Sequence, residues 1–97
     1  MEIEIKEPTK GIKNICKQLG NEYCIRLFDL EQVIYRDFGN GYDVEVSGLN
    51  HNRKTFKATI YVWNAEKNHI VKTISNIDSI ELLAEKLSEV TAEYSVL

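Results

Sequence analysis

Asp43 and Glu45 stand two residues apart in a run that alternates apolar and polar side chains, so both carboxylates fall on one side of a strand. Two neighbouring acids are what general acid–base chemistry needs, provided their environments hold them in different protonation states. Cross-strand pairing predicts Arg36 and Lys57 as their partners, and a neutralised pair makes a poor acid–base couple, so the acids read as structural. The two histidines, His51 and His69, sit at or beside loops with no evident orienting group, as a general base would require. Cys16 and Cys24 are eight positions apart and match no C-x-x-C redox or zinc pattern. A tetrahedral site from Cys16, Cys24, His51 and His69 has suitable ligand types but irregular spacing. The cysteines therefore read as two small buried hydrophobes, with no metal and no cofactor expected. Nucleophile elbow, zinc-protease, phosphate-loop and dinucleotide motifs are all missing. Gly39-Asn40-Gly41 precedes a strand, so no helix N-terminus is there to hold phosphate, and it reads as a hairpin turn. The chain is expected not to be an enzyme.

Charge is more informative. Residues 49–77 carry Arg53, Lys54, Lys57, Lys67 and Lys72 against Glu66 alone, whereas residues 78–97 carry Asp78, Glu81, Glu85, Glu89 and Glu93 against Lys86 alone. Glu81, Glu85, Glu89 and Glu93 recur every fourth residue, which on a helix makes an acidic ridge with steps of roughly 6 Å. Like charges at this spacing weaken a helix slightly, and Glu93 lies at the unfavourable end of the helix dipole. The ridge therefore reads either as a solvated helix face or as a surface for a basic protein partner, in its sharpest form a mimic of nucleic-acid phosphates.

A second patch comes from Tyr61 and Trp63, two apart and hence on one side of a strand, with Arg53, Lys54 and Lys57 nearby in sequence. Val71 and His69 are the expected cross-strand neighbours of Tyr61 and Trp63. Aromatics beside basic residues on an open sheet stack single-stranded bases in many domains. They also anchor protein interfaces, and the same face would serve in a homodimer.

The elements that must carry these groups follow from periodicity. Residues 2–5 alternate and form either a short strand or a frayed arm within residues 1–7. Pro8-Thr9 opens a helix whose Ile12, Ile15, Cys16 and Leu19 share one face, and Gly20-Asn21 ends it. Strands are expected at Tyr23–Phe28, Val33–Phe38, Tyr42–Ser47, Thr55–Trp63 and His69–Ile74. A two-residue type I′ turn at Asn40-Gly41 sets Arg36 opposite Glu45 and Tyr35 opposite Val46. A three-residue loop would place Arg36 on the core face, so the shorter turn is preferred. Pairing Val46 with Phe56 then sets Glu45 across from Lys57. The Asp78-Ser79-Ile80-Glu81 run fits an acidic capping box, with Ile77 touching Leu82 as a staple, and opens a helix running to about Tyr94. Its apolar stripe is Ile80, Leu83, Ala84, Leu87, Val90 and Tyr94.

Together these readings predict one α+β domain over residues 1–97. It has two layers: an antiparallel β-meander of about five strands, with the N-terminal and C-terminal helices packed on one face. At 97 residues the chain buries one core and leaves little room for an enclosed catalytic cavity. A net charge of −3 argues against a general nucleic-acid coat. No export signal or membrane segment is evident, so the expected location is cytoplasmic. In length and charge layout the chain is similar to small accessory proteins of bacteria and their phages, some of which inhibit host nucleases by presenting acidic surfaces. That likeness spans the whole chain, has no motif behind it and transfers no residues. The leading expectation is a non-enzymatic binding protein that occludes a basic partner through Glu81, Glu85, Glu89 and Glu93. The alternative is a nucleic-acid-binding module using Tyr61, Trp63, Arg53, Lys54 and Lys57, or a small dimeric domain of other function.

Overall fold

The computed structural model describes residues 9–28, 30–49 and 56–97. The expected arm at 1–7, His51, Arg53 and Lys54 lie outside them. The order of elements is α1 (Lys10–Leu19), β1 (Cys24–Phe28), β2 (Glu31–Asp37), β3 (Tyr42–Ser47), β4 (Ala58–Asn64), β5 (His69–Ile77) and α2 (Ile80–Tyr94). The strands form one antiparallel sheet in the order β1-β2-β3-β4-β5, with β1 and β5 at its edges. The α+β meander with two helices is thus the observed architecture.

Alternation explains how the core forms. Ile34 of β2, Val44 and Val46 of β3, and Ala58, Ile60 and Val62 of β4 point to one side. Ile12 and Ile15 of α1 and Leu83, Leu87 and Val90 of α2 cover them, so both helices lie on the same face. Thr9 caps α1 by accepting from the Ile12 N–H, and Gly20 takes the positive φ that ends it. The N-cap of α2 is Ser79, which accepts from the Leu82 N–H at 3.0 Å, one residue later than the capping box predicts. Ile77 precedes that cap by two residues and is buried in the core cluster, against which Leu82 also packs.

Strand pairings depart from expectation in three places. Asp37 pairs with Asp43, and the Phe38 N–H bonds to the Tyr42 carbonyl, so the connection is the three-residue loop Gly39-Asn40-Gly41. Gly39 and Gly41 adopt positive φ while Asn40 does not, which excludes the type I′ turn. Asn40 is committed elsewhere: its Nδ2 donates to the carbonyls of Tyr94 and Leu97 at the end of α2. In consequence Tyr35 faces Glu45, and Arg36 faces Val44 on the helix side. Between β3 and β4, Val46 pairs with Ile60, a slip of four residues that leaves Tyr61, not Lys57, across from Glu45. Along β5 two irregularities interrupt the ladder: Val71 has no partner, and Asn76 takes a positive φ. Ile70 therefore faces Trp63, Thr73 faces Tyr61, and the strand runs on to Ile77.

Candidate functional site

The helices leave the other face of the sheet uncovered, and the observed register decides what meets there. Arg26 and Phe28 come from β1, Glu31, Val33, Tyr35 and Asp37 from β2, Asp43 and Glu45 from β3, and Tyr61 and Trp63 from β4. Among the described strand residues of this face, Arg26 is the only cation set against Glu31, Asp37, Asp43 and Glu45. Lys57 is exposed just before β4, and Arg36 is on the opposite face, where its guanidinium lies 5.5 Å from the ring centre of Tyr23 and 5.1 Å from that of Phe38. The neutralising partners expected for Asp43 and Glu45 are thus not the ones present.

At the centre of the face is a concavity of about 400 Å³. Phe28, Tyr35 and Trp63 supply its aromatic walls, and Glu31, Asp43 and Glu45 its carboxylates. Beneath it the sheet is far from wet, because Val33 is only 1% exposed and Tyr35 is buried. Arg26 lies across from Val33, and its guanidinium sits 4.2 Å over the Tyr35 ring. The Phe28 and Tyr35 rings meet at 6.1 Å in a tilted pair.

Each polar group here has a physical setting. The Tyr35 hydroxyl donates to Asp43 Oδ2 at 2.7 Å. Burial, then that hydrogen bond and the Asp43 charge, push the Tyr35 hydroxyl far above the ordinary phenol range. Burial also raises Asp43 above the usual carboxylate value, although the Tyr35 bond pulls it back down. Glu31 is anchored, since its Oε2 accepts from the Gly48 N–H at 2.7 Å. Only glycine fits at Gly48: its φ is +84°, and a Cβ would lie 2.9 Å from the Lys57 carbonyl oxygen. The Trp63 Nε1–H is buried without an acceptor.

Next to the concavity, the β1–β2 hairpin presents Leu27, Phe28 and Leu30 to solvent at 51%, 39% and 86% exposure. Leu30 also takes φ +67°, a conformation that costs a leucine free energy and suits glycine or asparagine.

The predicted acidic ridge is present on α2, with Glu81, Glu85, Glu89 and Glu93 all exposed. Half of it is engaged: Lys72 reaches Glu93 at 2.9 Å and Lys86 reaches Glu89 at 3.2 Å. Glu81 and Glu85 form no ion pair with a described residue. Tyr61 and Trp63 do share a face, but they stand opposite Glu45 and Asp43. The cysteines are not both buried, because Cys16 is half-buried and Cys24 exposed. Cys16 donates to the Tyr23 carbonyl at 3.5 Å, and burial raises its thiol pKa. No group of three or more metal-ligating side chains occurs among the described residues. Among them, too, no helix is long and apolar enough to cross a membrane.

Sequence reasoning missed the concavity because it began the second strand at Val33, which left Glu31 off the sheet, set no partner for Phe28 and put Tyr35 opposite Val46. The available signal was the apolar run through Val33, Ile34 and Tyr35, which implies a strand covered on both faces. Compared with protein-family models, with curated proteins and with solved structures, the chain matches none.

Proposed function

We propose that the protein is a non-catalytic binding module that engages a basic surface of a protein partner, and that the open face of the sheet is its principal contact. The observation that carries this reading is the charge of that face: Glu31, Asp37, Asp43 and Glu45 surround aromatic side chains, with Arg26 the one cation among its described strand residues. Carboxylates beside Trp63 and Tyr61 repel phosphates, which favours a basic protein over a nucleic acid. Binding is favoured over catalysis because Tyr35, held neutral by its surroundings, is a poor nucleophile and a poor acid near pH 7. Two unbridged thiols fit the reducing cytoplasm, where we place the protein.

A second contact is proposed on α2. It rests on Glu81 and Glu85, the exposed acids of the ridge that no described lysine engages. An acidic helix of this kind fits occlusion of a groove on a nuclease or regulator.

The test compares two charge-removing variants of the full chain, immobilised and exposed to nuclease-treated lysate. Glu31→Gln/Asp43→Asn/Glu45→Gln alters the sheet face, and Glu81→Gln/Glu85→Gln alters the helix. Retention of a basic protein by wild type, weakened by added salt and lost with the sheet variant, is the expected result. Loss with the helix variant alone moves the contact to α2. Retention of the same proteins by all three forms overturns the reading.

A further inference from the structure

The open-face concavity has a more specific chemistry than net acidity. We propose that it receives a single arginine side chain of the partner, with the guanidinium stacked on the aromatic walls and its N–H groups directed to the carboxylates. This rests on the reading of the partner as basic and deepens it.

Three observations lead to a guanidinium. A concavity of about 400 Å³ lies within the range of small-ligand sites, about 300–1,000 Å³, so it accepts one side chain rather than a folded element. Its walls combine Phe28, Tyr35 and Trp63 with Glu31, Asp43 and Glu45. Aromatic faces and carboxylates attract the same ligand class, a cation, and a planar guanidinium satisfies both at once by stacking and by its fork of donors. An ammonium is a compact, strongly hydrated point charge and uses the flat walls less well. The protein already displays the contact, because Arg26 places its own guanidinium 4.2 Å over the Tyr35 ring.

One further feature indicates that the arginine belongs to a polypeptide. The exposed Phe28 and Leu30 stand on the hairpin that contributes Phe28 and Glu31 to the concavity, whereas Leu27 points to the helix side. Phe28 and Leu30 offer apolar area to residues flanking the arginine, as anchors at protein interfaces do.

Trp63 is the only tryptophan, so its fluorescence reports occupancy directly. The full chain is titrated with N-acetyl-arginine methylamide at constant ionic strength. The citrulline counterpart, equal in shape but uncharged, is titrated in parallel, as is the lysine counterpart. The proposal expects a saturable change with the arginine probe and at least tenfold weaker binding of the citrulline probe, with lysine in between. Glu31→Gln and Asp43→Asn, each near-isosteric, are expected to weaken the arginine probe several-fold while far-UV circular dichroism stays unchanged. No saturable response to arginine, or an equal response to citrulline, overturns the proposal. If the arginine probe fails while the sheet-face variant still loses the basic partner, the guanidinium site falls and the basic-partner reading stands. If the partner too is indifferent to the sheet face, both fall.

Discussion

The helix-covered face and the open face arise from the same five strands by simple alternation, yet they are completed in opposite ways. On the covered face, side chains from β2, β3 and β4 meet two amphipathic helices, and Ile12, Ile34, Ile60 and Leu83 are fully enclosed. Polar groups are scarce there, and Arg36 is accommodated by stacking on Tyr23 and Phe38. On the open face the apolar residues Val33 and Tyr35 are as deeply placed, but carboxylates surround them. Burial raises Asp43 despite the Tyr35 hydrogen bond and the Arg26 charge, and a strained Leu30 is held in solvent at the neighbouring hairpin. Stability is concentrated on one face, and features that cost stability are concentrated on the other. Proteins accept such costs mainly where they bind or react.

That contrast is most sharply tested by truncating the covered face. Leu83→Ala should lower unfolding free energy by about 3 kcal/mol, the usual cost of a fully buried leucine. Urea titration would read this as a lower midpoint at unchanged slope. Arginine-probe affinity, measured where the variant is fully folded, should not change. A variant that keeps its midpoint would mean that Leu83 is not part of the enclosed core.

Leu30→Gly should act in the opposite sense. Relief of a positive φ should raise stability by about 1 kcal/mol, while loss of the exposed side chain weakens partner binding. Destabilisation would show that Leu30 serves the fold rather than an interface.

The smallest effect concerns pH. A carboxyl whose pKa is higher in the folded state than in the unfolded chain binds protons more readily when folded. Its ionisation therefore costs stability as pH rises from the ordinary carboxylate value through the raised one. Asp43→Asn removes that cost. Wild type should gain stability relative to this variant on acidification from pH 7 to pH 4, as parallel urea titrations would show. A constant difference would mean that Asp43 carries no net burial penalty.

Much of the fold was legible because it depends on periodicity. Tyr42, Val44 and Val46 against Asp43, Glu45 and Ser47 fixed a strand and its sides, and Ile12, Ile15, Cys16 and Leu19 fixed a helix face. The site was less legible because it depends on register. A slip of four residues between β3 and β4 keeps every side chain on its proper face but changes what lies opposite. Lys57 was thereby exchanged for Tyr61 beside Glu45. In the β2–β3 hairpin the deciding influence was distant in sequence, since Asn40 bonds to carbonyls at the end of α2 and leaves Gly39 and Gly41 to supply the turn. The unpaired Val71, between Ile70 and Lys72, has no clear local signal, whereas Asn76 is a residue type that readily takes the left-handed region.

The division of labour between the two faces can be measured in one experiment. Isotope-labelled protein is titrated with a blocked tripeptide containing a single arginine, and backbone and indole resonances are followed residue by residue. The account predicts saturable shifts at Phe28, Glu31, Tyr35, Asp43, Glu45 and the Trp63 indole N–H, with the resonances of Glu81 and Glu85 unmoved. Shifts confined to α2, or none at the sheet residues, would contradict it.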